Sequence, residues 1–435
     1  MVFSIRAVLT AALTAGLLAG FCCAQDTGQS RKEKISFLRQ EAKRDSQAIP
    51  GIAKYLDDSD RDVREEAVKA IVNIGTQYSL DPLIHATKDN DATVQARAVD
   101  GMVNFYLPGY ITTGGLGQTF TRVGKRIKNT FSSRNDQTID AGMPVRENVI
   151  VTIGALASGG ANFDVRADAA RAVGVLRGRQ AVPDLEKALR SKNNDVIFES
   201  LVALQKIRDT SAGPSVEFLA NDYDLRVQTT ALETLGVLRT TSATPQIRNA
   251  FDRARNDKVR RAALSSLAMI ASPEDHSLFL QNRGSKDAEL RTAAFEGLGR
   301  LRDPQDYPVL ETAFNQESDM KARLAAAFAL VSEGKIDTTE FSPLRYLVNG
   351  FNLVKVSSVS DSYLEELGHR PEIRSALLPL LPTGTKAEKL GLIQILAATG
   401  KQESVQPVET LTTDQDGDVS IAAARALKMI KARLP

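Results

Sequence analysis

Apolar residues recur along most of this chain at helical spacing, and the helical segments themselves recur. In Val63-Arg-Glu-Glu-Ala67-Val-Lys-Ala70-Ile71-Val-Asn-Ile74, the apolar side chains of Val63, Ala67, Ala70, Ile71 and Ile74 fall at i, i+4, i+7, i+8 and i+11, which is one stripe of an α-helix. The template restarts at Val94, Val165, Val196, Val227, Val259, Leu290, Met320 and Val419, with a weaker copy at Ala387. Steps between anchors stay within one residue of 31, except between Val94 and Val165 and between Met320 and Ala387. Pro50, Pro82, Pro183, Pro214, Pro245, Pro308 and Pro407 each stand a short helix and a turn ahead of their anchors. Proline suits a helix's first turn, where its missing N–H has no partner anyway. Each unit is therefore expected to be a proline-started helix ("VPDLEKALR"), a polar turn ("SKNND") and a second helix. A lone helix pair cannot bury its apolar face, so stacked copies must share one core. The fold class that follows is all-α, an α-solenoid of stacked antiparallel helix pairs.

The run "DRDVREEAVKAIVNIG" resembles a HEAT repeat, and the 31-residue period is similar to that of the short subclass of phycobilin-lyase-like proteins. The resemblance extends over roughly Ile49 to Pro435. It implies a scaffold or adaptor, since enzymes are a minority on this architecture. A lyase-like or chaperone-like protein handling a small molecule is the alternative it carries. The related hydroxylases built from such repeats bind iron through His-Glu pairs, and no His-Glu dipeptide occurs here.

The N-terminus changes where such a protein is expected to work. "MVFSIRAVLTAALTAGLLAGFCCAQD" has a short basic start, an apolar run from Ala7 to Phe21 and small residues before Gln25, the pattern of a secretory signal peptide cleaved near Ala24. A retained anchor wants about 20 apolar residues, more than this run supplies. A lipoprotein signal wants cysteine directly after Leu18-Ala19-Gly20, where Phe21 stands instead. Cleavage would remove Cys22 and Cys23, the only two cysteines of the 435 residues, leaving no disulfide and no thiol chemistry. A net charge of +2 for the whole chain argues against a nucleic-acid reader, which needs a strongly basic face.

An acid precedes many anchors (Asp62, Asp164, Asp195, Glu289, Asp319, Asp418) and a base follows several (Arg64, Arg166, Arg260, Arg291, Lys321). The acids favour the dipole of the second helix, and the bases can share hydrogen bonds with the neighbouring repeat. Ser30 and Glu33 have capping-box spacing at the start of a terminal cap helix. His85, His276 and His369 fall in different repeats, so no metal site is expected of them. Asp414, Asp416 and Asp418 resemble the start of a calcium loop, but Val419 and Arg425 stand where glycine and glutamate are required. No catalytic residue and no cofactor are assigned.

The two gaps are insertions into the rhythm. "SPLRYLVNGF" and "DSYLEEL" read as the helices of a degenerate repeat in the second. The first contains "TTGGLGQTFTRVGKRIKNTF", whose glycines lack the following lysine and hydroxyl of a phosphate loop. After them Phe120, Val123, Ile127 and Phe131 fall at helical spacing among Arg122, Lys125, Arg126 and Lys128. That basic amphipathic stretch suits packing on the solenoid, docking onto a partner or contact with anionic lipid. Arg260, Arg261, Arg291 and Lys321 are expected to make one side of the later repeats basic. The expected organisation is a signal peptide (1–24), a linker and cap helix (25–47), HEAT-like repeats (48–106), the basic Gly-rich insertion (107–143), repeats (144–333), the degenerate repeat (334–371) and C-terminal repeats (372–435). The function expected is a non-catalytic protein-binding scaffold outside the cytoplasm, periplasmic or secreted, with peripheral membrane contact as a further option.

Overall fold

A computed structural model describes residues 28–111, 137–140 and 142–434. Among them the chain is helical with no strand, and it divides into two compact units, Met1–Gly101 and Met102–Pro435. No helix of the described residues is long and apolar enough to cross a membrane.

The first unit holds α1 (Arg31–Glu41), α2 (Ile49–Ala53), α3 (Arg61–Ile74), α4 (Leu80–Ala86) and most of α5 (Ala92–Tyr106). The expected capping box is formed: the Ser30 amide donates to Glu33 at 2.7 Å, and the Glu33 amide donates to Ser30 Oγ. The stripe of α3, Val63, Ala67, Ala70 and Ile71, is buried.

The second unit contains helix pairs in which, after a first pair of equal length, a shorter first helix leads into a longer second one. They are α6 (Glu147–Gly159) with α7 (Phe163–Val175), α8 (Val182–Ala188) with α9 (Asn194–Ile207), and two 3-10 segments, Thr210–Ser215 and Glu217–Asn221, with α10 (Leu225–Val237). Then come α11 (Thr244–Arg253) with α12 (Asp257–Ile270), α13 (His276–Asn282) with α14 (Ala288–Leu301), and α15 (Tyr307–Gln316) with α16 (Met320–Ser332). The series ends with α17 (Pro343–Asn349) and α18 (Ser357–Gly368), α19 (Pro371–Leu377) and α20 (Lys386–Thr399), and α21 (Gln402–Thr410) and α22 (Gly417–Lys431). The fold is the all-α solenoid that the period predicts. Side chains of Asp60, Asn193, Asp224, Asn256, Asp287, Asp319 and Asp416 cap second helices by accepting backbone N–H groups of the first turn, which gives each an abrupt start.

Three local expectations shift. Met320 is exposed, and the buried stripe of α16 begins at Ala322. Asp319 is itself the N-cap, and the stripe starts three residues after a cap, as Val63 does after Asp60 and Leu290 after Asp287. The weak copy at Ala387 has the same explanation. Its cap is Thr385, so the anchor position is Glu388, a buried acid that accepts from Arg345 at 3.1 Å and Asn352 at 2.8 Å. Third, Pro214 lies inside a 3-10 segment and Pro407 inside α21, not in first turns.

Neighbouring second helices approach at glycine. A Cβ on Gly174, Gly236 or Gly299 would lie 2.8, 2.7 or 2.5 Å from the Cα of Ala203, Ser266 or Ala329 on the next second helix. No side chain fits there, so these glycines set the interaxial spacing.

Candidate partner-binding surface

Three of the bases after the anchors have a structural task. Arg64 Nη1 donates to Asp58 O at 2.9 Å, Arg166 Nε to Gly160 O at 2.9 Å and Arg291 Nη1 to Ser285 O at 2.7 Å. Each reaches a carbonyl six residues back, in the turn after the first helix of its pair, where backbone acceptors lack helical partners. The same guanidinium then reaches forward: Arg64 pairs with Asp89 at 2.6 Å and Arg291 with Glu317 at 2.7 Å. Lys34–Asp58 and Lys389–Asp414, at 2.9 and 2.7 Å, extend the ladder. The bond from Arg291 holds the Glu317 carboxyl below its ordinary range, against the opposing effect of burial. The run Asp414–Asp418 belongs to this ladder and to the cap of α22.

These contacts define what the expected basic side consists of. Arg291 is engaged by Glu317, and Arg261 by Asp287 at 2.6 Å and Glu289 at 3.5 Å. Arg260 is exposed and lies over the Phe251 ring, 4.8 Å from its centroid, while Lys321 is exposed. Phe120, Arg122, Val123, Lys125, Arg126, Ile127 and Lys128 lie outside the described residues.

A different row of bases emerges at the ends of the second helices. Twelve residues after Val165, Val196, Val227, Val259 and Leu290 the chain turns through a left-handed conformation at Arg177 (φ 49°), Arg208 (56°), Arg239 (50°), Ala271 (52°) and Arg302 (55°). In the first unit the equivalent position is Gly75, φ 58°, the residue for which this conformation carries no steric penalty. The second unit places arginine there four times. The recurrence is legible in "LRG", "IRD", "LRT" and "LRD", yet only the backbone geometry makes it unusual.

Part of the row is occupied by this chain. Gln137–Ile139 crosses the ends of α7 and α9: the Ile139 amide donates to Val175 O at 3.0 Å, Arg177 Nη2 to Thr138 Oγ1 at 3.3 Å and Lys206 Nζ to Gln137 O at 3.3 Å. Ile139 is buried. Further along, Glu366 of α18 accepts from Arg239 at 3.2 Å and from Arg300 Nη2 at 2.9 Å. Burial opposes ionisation of Glu366, but the two arginines outweigh it and lower its pKa. Tyr363, stacked on Phe328 with ring centroids 4.7 Å apart, donates its hydroxyl to Glu296 at 2.5 Å. Burial, then the Glu296 charge, raises the phenol well above its ordinary value. Between these occupied stretches, Arg208 is exposed and makes no ion pair among the described residues.

A family model for HEAT repeats matches residues 31–103, 150–236 and 244–331, more than half of the chain. The chain belongs to the HEAT-repeat family. Solved structures similar to this HEAT-repeat chain include an engineered protein, at 17% identity and TM-score 0.38, covering 88% of this chain and 98% of that one. Importin beta matches at 11% identity and TM-score 0.44, over 94% of this chain and 61% of importin beta. The complex of CpcE and CpcF of phycocyanin lyase from Nostoc sp. matches at 18% identity and TM-score 0.33, over 81% of this chain and 100% of that one. No curated protein matches the chain. HEAT-repeat solenoids commonly bind protein partners.

Proposed function

We propose that this HEAT-repeat chain is a non-catalytic scaffold of the cell envelope or secreted space. It takes an extended, acid-bearing segment of a protein partner across the C-terminal ends of its second helices. The observation that carries this reading is the seating of Gln137–Ile139 on that surface, through one backbone bond and two cationic side chains. An extended segment needs little more than such contacts. Arg208 continues the row, and the Arg239–Glu366 bridge gives the carboxylate chemistry that a second segment would use. Export rests on the N-terminal pattern of a basic start, apolar run and small residues.

The test places a photo-crosslinking amino acid at exposed position 210, which leaves Arg208 in place, with position 253 as control, in cells that make the full chain. A partner captured at 210 and not at 253 is then purified and titrated against the wild-type chain and Arg208→Glu. Binding at least about tenfold weaker for the variant, and weakening with salt, supports the reading. Equal binding by both, or capture at neither position, refutes it. Replacing residues 110–140 by a short linker shows whether the insertion docks the partner, since undiminished capture would exclude it. The localisation is checked by fractionation and N-terminal sequencing: cytoplasmic protein that still carries the segment from Met1 to Ala24 contradicts it.

A further inference from the structure

Two consecutive repeats treat the same buried acid differently. At the junction of α12 and α13, Asp275 is 1% exposed and is met by Arg248 Nε at 2.5 Å, a permanent cation from α11. One repeat later Asp306, 3% exposed, occupies the corresponding place before α15. Its partner is His276, the first residue of α13, with Nε2 at 2.8 Å from Oδ2. His276 Nε2 also lies 4.0 Å from Asp303 Oδ2. One ligand atom from each of the three residues falls within 4.8 Å of the others.

A third acid stands beside them. Glu333, the C-cap of α16, has a buried Oε1 with no hydrogen-bond partner. Burial first, then the charges of Asp306 and Asp303, push its carboxyl up to about 7. No lysine or arginine forms an ion pair with Asp303, Asp306 or Glu333 among the described residues. Three acids thus gather where the preceding repeat has a buried acid met by a guanidinium, and the group that meets Asp306 is an imidazole, a side chain able to ligate a metal.

We propose that His276, Asp303 and Asp306, with Glu333 beside them, form a binding site for a divalent transition-metal cation. One imidazole with carboxylates is a donor set for borderline cations such as Zn²⁺, Mn²⁺ or Fe²⁺. Metal–ligand bonds of about 2.0–2.2 Å place donor atoms roughly 3–4 Å apart, which the present separations of 2.8 and 4.0 Å bracket. The ion would stand where the preceding repeat has its arginine and tie α13, the turn after α14 and the end of α16 together. The site is independent of the arginine row and of the partner proposed for it.

The experiment uses the full chain carrying Cys22→Ser and Cys23→Ser, so that the thiols bind nothing. Calorimetric titration with Zn²⁺, and separately Mn²⁺, is expected to show one equivalent. The Co²⁺-loaded protein is expected to show a d–d spectrum with mixed nitrogen and oxygen ligation. His276→Ala and Asp303→Ala, both at partly exposed positions, should weaken binding by at least about tenfold. His85→Ala, whose ring pairs with Asp57 at 2.8 Å, should leave it unchanged. Absence of an equivalent in the parent chain overturns the proposal. So does undiminished binding by folded His276→Ala, with circular dichroism confirming that the variants keep their helices.

Discussion

Replacing Ala271 by glycine is expected to stabilise the second unit, although it removes a methyl group and adds no contact. Ala271 ends α12 at φ 52°, ψ 54°, and its amide donates to Leu267 O at 2.7 Å. A Cβ in the left-handed region costs roughly 1–2 kcal/mol. Glycine gives back about 0.4–1 kcal/mol through the greater freedom of the unfolded chain. The net gain is about 1 kcal/mol. In a repeat array this gain acts on local opening and need not spread to distant repeats. The assay is hydrogen exchange around residue 271, corrected for intrinsic rates, where protection should rise about fivefold. Two arginines of the same geometry calibrate the result. Arg208→Gly also loses a cation at a helix C-terminus, worth about 0.3–1 kcal/mol, so its gain is smaller. Arg239→Gly loses the bridge to Glu366 as well and should gain nothing. If Ala271→Gly lowers protection, the turn is not strained, and the row of left-handed arginines loses its meaning as stability exchanged for a binding surface.

Gly236→Ala drives a Cβ to 2.7 Å from the Ser266 Cα; forcing α10 from α12 should cost about 1–3 kcal/mol in urea unfolding. Arg291→Met removes the guanidinium that donates to Glu317 and to the Ser285 carbonyl, leaving Glu317 its bond from the Asp319 amide, and should cost about 2–3 kcal/mol, with Glu317→Gln milder. The pH dependence follows from depressed carboxyls: Glu317, held down by Arg291, and Asp224, held down by the Val227 amide. Groups whose folded pKa lies below the unfolded value contribute stability that is fully present above roughly pH 5 and is lost as pH falls through about 4 and below. Thermal unfolding between pH 6 and 3 should therefore show a falling midpoint, with a shallower fall in Glu317→Gln.

The period is legible because one residue type dominates each buried place: Val63, Val165, Val196 and Val227 all start a stripe three residues after a capping oxygen. It slips where the cap, not the apolar residue, defines the register. Asp319 looks like the acid before an anchor and is the cap itself, and Glu388 hides an anchor because a buried acid bound by Arg345 stands where valine would. The surface is less legible. Arg261 and Arg291 stand out as charge, but their partners Asp287 and Glu317 belong to the following repeat, and proximity across a repeat is not visible locally. Arg208 and Arg239 are ordinary letters whose distinction is a dihedral angle. His276 shows no nearby ligand in sequence because Asp303 and Asp306 come from the next turn of the array.

The ladder in which Arg291 holds its own pair's carbonyl and the following pair's Glu317 has a consequence for how such a chain can change length. Two units show both halves of it: that of α3 has Arg64 facing forward and Asp58 facing back to Lys34, and that of α14 has Arg291 facing forward and Asp287 facing back to Arg261. A segment excised or duplicated between equivalent residues therefore takes one of each with it, and the new junction meets complementary charge without any further substitution. Unequal recombination between these near-copies would thus yield longer or shorter proteins that are electrostatically correct at once.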